Sequence, residues 1–175
     1  MCDYGLIASY GGRGGRAAAW RESRQQVSVV EAAVEVDATP EQVWQVVSDP
    51  RNLPRWDHHI TSVEGVPARG LRAGTEYVTH VRFMGAKTRV TATVLELRGE
   101  TYAKVALRGL MDGVVETWVE PLDGGRARLR HRIDYRLLGG PVGRLAGEAL
   151  RVLGASAILK RGVNEQKRQA EEQAG

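Results

Sequence analysis

Few side chains in this sequence can move a proton near neutral pH. His131 is the first candidate, since an unperturbed imidazole titrates close to neutrality and suits general acid or base work. Tyr77 can donate a hydrogen bond to an enolate or phenolate oxygen, and Tyr135 or Thr117 can orient the imidazole or a substrate carbonyl. The competing reading of His131 is a core histidine whose nitrogens are satisfied inside the protein. Asp57-His58-His59 invites a metal reading, but adjacent histidines on a strand point opposite ways, and His80 falls on the outer face. No metal site and no cofactor are therefore expected. Cys2 is the only cysteine, which excludes an internal disulfide and a cysteine-based zinc site. Gly11 to Gly15 lack the strand and helix that a phosphate loop needs, and no motif supports Ser-His-Asp nucleophilic catalysis.

These residues have to be placed by the elements around them. Residues 1–26 show no sustained period and read as a flexible arm. From Val27 to Val36 the chain alternates, with Val30, Ala32, Val34 and Val36 on one face and Glu31 and Glu35 on the other. Thr39, Pro40 and Gln42 form a capping box ahead of Val43, Trp44, Val46 and Val47, which predicts a helix that Asp49-Pro50 breaks. A second short helix or turn covers Arg51 to Trp56. The period then changes to two, and strands are expected near 60–66, 74–83, 87–97, 100–108, 113–121 and 126–138. Met84-Gly85, Arg98-Gly99, Asp112-Gly113 and Asp123-Gly124 supply the turns. From Pro141 to about Gln173 a helical stripe of Val142, Leu145, Ala149, Leu153, Ala157 and Val163 returns, interrupted by Gly143, Gly147, Gly154 and Gly162.

The hairpins give a register. A two-residue turn at 98–99 sets Val94 opposite Ala103, Ala92 opposite Val105 and Val90 opposite Leu107. A turn at 84–85 sets Tyr77 against Ala92 and Thr79 against Val90. The same face then receives Val115, Thr117, Val119, Leu129, His131, Ile133 and Tyr135. The opposite face takes Arg82, Lys87, Arg89, Lys104, Arg108, Trp118, Glu116 and Glu120, the two glutamates meeting the arginines of 126–132. A slip of one residue would invert this division. The inner face carries hydroxyls and an imidazole among small apolar residues, which suits the wall of a ligand cavity.

Charge and size narrow the classes further. A chain of 175 residues is enough for one domain, and 42% hydrophobic with 26% charged residues excludes wholesale disorder. The net charge of +4 does not point to nucleic acid, because the densest basic run, Arg126 to Arg132, alternates with apolar residues as the solvated face of a strand. No stretch is long enough to span a membrane and no secretory signal is evident, so a cytoplasmic location is expected. Only four of the 25 basic residues are lysine, a bias of the kind seen in GC-rich actinomycete coding.

Three stretches carry a family resemblance: Val34 to Trp44, then Ser48-Asp49-Pro50 with Leu53-Pro54-Arg55-Trp56, and Gly139 to Leu145. With these the chain resembles the START-like superfamily of helix-grip proteins, and in particular the polyketide cyclase/dehydrase and lipid-transport family. The resemblance covers about residues 27–170, with 171–175 as a polar tail. It implies an α+β fold of the START/Bet v 1 kind: a curved antiparallel sheet of about seven strands around a long C-terminal helix, with two short helices after strand 1. It also implies a cavity between sheet and helix, with Trp56 at its opening and Arg55, Asp57 and His58 near the mouth, able to meet an anionic or phenolic ligand.

The cavity wall is then Trp56, Thr79, Val81, Phe83, Val90, Ala92, Val94, Val105, Leu107, Val115, Thr117, Val119, Leu129 and Ile133, with Leu145, Ala149 and Leu153 from the last helix. His131, Tyr77 and Tyr135 are the catalytic candidates. The expected partner is a hydrophobic small molecule, a polycyclic polyketide, bound by a monomer or homodimer that engages neither membrane nor nucleic acid. The function it implies is ligand binding with cyclase or aromatase activity. The alternative is a non-catalytic sequestering or self-sacrifice resistance protein, as in enediyne pathways, where Gly113 would be a conceivable point of radical cleavage. A protein- or RNA-interaction module is the third reading.

Overall fold

The computed structural model describes residues 28–83, 85–109, 111–137 and 154–175. Seven strands form one sheet: β1 (Ser28–Val36), β2 (Ile60–Glu64), β3 (Glu76–Phe83), β4 (Ala86–Arg98), β5 (Tyr102–Arg108), β6 (Met111–Leu122) and β7 (Arg126–Leu137). Their order is β1-β7-β6-β5-β4-β3-β2, and every neighbouring pair is antiparallel. Helices α1 (Pro40–Val47) and α2 (Leu53–Trp56) follow β1, joined by a 3₁₀ turn at Pro50–Asn52, and α3 (Ala155–Ala174) closes the chain. This is the expected helix-grip arrangement. Among the described residues no helix is long and apolar enough to cross a membrane.

Local chemistry accounts for the starts and stops. Thr39 accepts from the Gln42 amide and the Gln42 side chain returns a bond to Thr39 N at 2.9 Å, completing the capping box. Such a cap contributes about 1 kcal/mol. Asp49 accepts from Arg51 N at 3.0 Å and starts the 3₁₀ turn. Gly154 sits at φ 71°, outside the helical region, so the helix begins at Ala155 and does not run through residue 154 as the sequence pattern suggested. The more N-terminal part of that predicted helix, with Leu145, Ala149 and Leu153, lies outside the described residues, as does the 1–26 arm. Ala157 points to solvent, so the inward stripe of α3 is carried by Ile158, Gly162, Val163, Gln166 and Ala170.

The register follows the expected faces, with two corrections. Tyr77 pairs with Ala92 and Thr79 with Val90, as the 84–85 turn requires. Val94, however, lies opposite Val105 and Ala92 opposite Leu107, two residues away from the expected partners. The β4–β5 loop holds residues 99–101, one more than a two-residue turn, and a bulge at Leu95 absorbs one position. The net slip is even, so the faces of β5 survive; the bulge instead brings Leu97 inward on β4.

The second correction concerns Asp112-Gly113, which belongs to β6, where Gly113 pairs with Tyr135. The turn is made by Gly109, at φ 142°, where a Cβ would lie 2.4 Å from the carbonyl oxygen of Arg89. No other residue fits there without moving backbone.

The outer face is a charge lattice. Glu35 accepts from Arg126 and Arg128, both at 3.1 Å, and Glu31 from Arg130 at 3.4 Å. The arginine row thus leans mainly on β1. Glu120 reaches Arg130 at 3.7 Å, while Glu116 takes Lys104 at 3.6 Å and the Tyr102 hydroxyl at 2.6 Å. Trp118 lies on this face as predicted, with Arg130 4.0 Å over its ring and the Tyr102 ring 5.5 Å away. Exposed pairs of this kind are screened by solvent and contribute little, so they set the face rather than hold the fold.

The inner face carries the core. Val36, Val119, Ala127 and Leu129 join Val43, Val46 and Ala170 in one packed cluster, several of them fully buried. A smaller cluster forms around Tyr77, Ala92 and Val94.

Candidate functional site

Between the inner face of the sheet and α3 lies a cavity of about 900 Å³. This is at the upper end of the size range that takes a drug-sized ligand, roughly 300–1,000 Å³. The sheet supplies Tyr77, Thr79, Val90, Ala92, Leu97, Ala103, Val105, Leu107, Val115, Thr117, His131, Ile133 and Tyr135, and β1 adds Val30. Helix α3 supplies Ala155, Ile158, Leu159, Gly162 and Gln166; Trp44, Leu53, Trp56, Val66 and Leu71 come from the helices and the β2–β3 loop. Asp49, Arg51, Asp57, Arg69 and Glu100 give the lining its charges.

His131 is buried on β7 and both its nitrogens are taken. Nδ1 lies 2.8 Å from Thr117 Oγ1, and Nε2 lies 2.8 Å from Gln166 Oε1. An amide oxygen can only accept, so His131 carries its proton on Nε2, and Nδ1 accepts from the Thr117 hydroxyl. Burial pushes its pKa down to about 4, with the Gln166 bond acting weakly the other way. At neutral pH this is an uncharged bridge from sheet to helix.

Tyr77 is the contrasting group. It is buried among Ala92, Val94 and the loop residues, burial pushes its pKa up to about 12, and its hydroxyl has no hydrogen-bond partner among the described residues. It stays protonated and can donate to a ligand oxygen. Thr79 is different, since its hydroxyl donates to Val90 O at 3.2 Å. Tyr135 lines the cavity beside Gly113, where a Cβ would lie 3.1 Å from its own Cβ.

Of the residues expected to line a cavity, Trp56, Thr79, Val90, Ala92, Val105, Leu107, Val115, Thr117 and Ile133 do so. Val94, Val119 and Leu129 face the same way but are fully buried in packed clusters. Val81 is half-buried in β3, paired to Ile60 and Thr88, and is not part of the lining; Phe83 ends β3 opposite Ala86.

Of the three residues expected at the mouth only Asp57 lines the cavity. His58 is exposed, and Arg55 lies with Glu165, Arg168, Gln169 and Glu172 around a separate small pocket behind Trp56. Sequence reasoning missed Gln166 and Arg51. Gln166 continues the i, i+4, i+8 series Ile158, Gly162, Gln166, and a glutamine inside an apolar series was the available signal.

Arg51 and Trp56, both in the lining, tie neighbouring elements of the wall together. Arg51 donates to both oxygens of Asp49 and to the carbonyls of Val66 at 3.2 Å and Pro67 at 3.0 Å, tying the β2–β3 loop to the 3₁₀ turn. The Trp56 indole N–H donates to Gln169 Oε1 at 2.8 Å, which fixes α2 to α3.

Comparison with known proteins fits this geometry. The sequence profile of the polyketide cyclase / dehydrase and lipid transport family matches residues 28–171. No curated protein matches the chain by sequence. Among solved structures, a Thermus thermophilus protein superposes with a TM-score of 0.68 at 18% identity, covering 85% of this chain and 100% of that one. A START superfamily protein from Mycobacterium smegmatis gives 0.59 at 21% identity, covering 81% and 97%. The Zhui aromatase/cyclase from Streptomyces gives 0.62 at 14% identity, covering 82% and 96%. The chain belongs to the polyketide cyclase / dehydrase and lipid transport family, and its fold is that of the START superfamily.

Proposed function

We propose that this member of the polyketide cyclase / dehydrase and lipid transport family binds one polycyclic, polyketide-type molecule between the sheet and α3, and orients it for cyclisation or aromatisation. The single observation that carries this is the Tyr77 hydroxyl, kept protonated and without a hydrogen-bond partner among the described residues, on the wall of an apolar cavity of about 900 Å³. A hydroxyl that faces the cavity with its donor free can give that hydrogen bond to whatever the cavity holds. A ligand carbonyl or phenolate oxygen is the partner it fits. Val90, Ala92, Val105, Leu107, Val115 and Ile133 supply an aliphatic wall suited to a flat ring system, and Trp44 and Trp56 add aromatic faces. Tyr135 is a second hydroxyl on the same wall.

The same cavity supports a second reading, sequestration without turnover, and the state of His131 favours it. A neutral imidazole with both nitrogens engaged and a pKa of about 4 is a weak base at pH 7. In that reading His131 is a structural bridge and the protein holds a product. Both readings place a monomer or homodimer in the cytoplasm.

Native mass spectrometry after titration with a panel of polycyclic aromatic polyketides tests the proposal. Stoichiometric micromolar binding supports it; absence of binding by folded protein overturns it. Multiple turnover lost in Tyr77→Phe with binding retained selects the enzyme, whereas at most one conversion per chain selects sequestration.

A further inference from the structure

We propose that Asp57, His58 and His59 form a site for a divalent transition-metal ion of the zinc type beside the cavity. On a strand these neighbours would point to opposite faces, which is why the sequence argued against a metal. The structure puts them instead in the turn between α2 and β2. Asp57 N donates to Leu53 O at 3.0 Å and Ile60 N to Asp57 O at 2.9 Å, so the chain folds back on itself here. The His58 and His59 rings consequently lie side by side, with centres 4.1 Å apart. One ligand atom from each of the three residues falls within 4.8 Å of the others.

Two of the three are already set. Asp57 Oδ1 lies 2.7 Å from His59 Nδ1 and accepts from His59 N at 2.9 Å. His59 O accepts from Arg82 N at 2.7 Å, which ties the turn to β3. Ligand atoms about 2.0–2.2 Å from a tetrahedral zinc ion stand roughly 3.3–3.6 Å from one another, so Asp57 Oδ1 and His59 Nδ1, 2.7 Å apart, need to separate by less than about 1 Å to admit an ion. The ion takes the place of the proton between Asp57 Oδ1 and His59 Nδ1, which leaves to solvent. His58 is exposed and already has a ring nitrogen within 4.8 Å of the ligand atoms of the other two.

Two imidazoles and one carboxylate suit zinc, nickel, copper or cobalt better than calcium or magnesium, which prefer all-oxygen sets. Three protein ligands leave at least one position open, the pattern of catalytic rather than structural zinc sites. Asp57 lines the cavity, so an ion held here stands beside whatever molecule the cavity binds.

The test is calorimetric titration of the full chain with Zn²⁺ alone, then Ni²⁺ alone, in a Cys2→Ser background that removes the only thiol. One ion per chain is expected with a micromolar Kd. Asp57→Asn and His59→Ala should each weaken it by about tenfold or more, with a smaller loss in His58→Ala. His80→Ala, on the outer face of β3, should change nothing. His59→Gln can still donate to Asp57 through its amide, which separates ion binding from folding; circular dichroism checks each variant. Absence of saturable binding, or binding unchanged in His59→Gln and Asp57→Asn, overturns the proposal. No polyketide is present, so the outcome is independent of what the cavity holds.

Discussion

Strand β7 passes through two environments on one face. Leu129 is fully buried, in one packed cluster with Val43 and Val46 of α1 and Ala170 of α3. Four residues on, Ile133 faces the same side but lines open space. Strands β1 and β6 repeat the contrast, with Val36 and Val119 in the packed part and Val30 and Val115 at the cavity. His131 stands at the boundary, and its two hydrogen bonds join Thr117 of the sheet to Gln166 of the helix. Alternation along a strand therefore decides only that a residue faces inward. Whether it packs is decided by what the helices bring to that height.

The contrast can be broken most forcefully at its packed end. Leu129→Ala should lower unfolding free energy by about 2–5 kcal/mol, because no neighbour can collapse into the hole. Ile133→Ala should cost less than about half of that, since one side of the isoleucine already lacks contact atoms. Urea denaturation of the two variants measures the difference. Equal losses would mean that the cavity end is as tightly packed as the core.

The boundary residue gives the next effect. His131 binds its proton less readily folded than unfolded, from about 6.5 down to about 4. The unfolded chain thus takes up more protons in that window. This contribution to stability is fully present above pH 6.5, falls as the pH drops, and is gone below about pH 4. Its size is on the order of 3 kcal/mol. A series of urea midpoints should show this loss in the wild type and a flatter profile in His131→Gln.

At the cavity end a polar change should leave stability alone and alter binding. Tyr77→Phe removes a hydroxyl with no hydrogen-bond partner among the described residues, so the unfolding midpoint should stay put while ligand affinity weakens by about 1 kcal/mol, roughly fivefold. Calorimetry against the tightest panel member reads it.

The smallest effect belongs to the convex side. Arg130→Ala removes the cation over Trp118 and bonds to Glu31 and Glu120, and should cost about 0.5–1 kcal/mol with a shift in tryptophan emission.

Much of this was legible in the sequence. The Thr39 capping box, the 84–85 turn and the period of two placed His131, Thr117, Tyr77 and Ile133 on one face, because each rests on local chemistry. Three kinds of feature were not legible. The β4–β5 pairing depended on a bulge that no residue type announces. The occupied state of His131 depended on Gln166, 35 residues further along. The convergence of Asp57, His58 and His59 depended on a turn where alternation had been assumed.

The bulge at Leu95 also bears on how chain length can vary. Leu95 is half-exposed and is the extra residue between Val94 and Glu96, which face Val105 and Lys104. Deleting it would leave Val94 inward, Glu96 outward and Leu97 inward in unbroken alternation. Deleting Thr93 instead would turn Val94 toward water. Strand β4 thus carries a one-residue reserve at a single address, and a shortened relative would be expected to have drawn on it there.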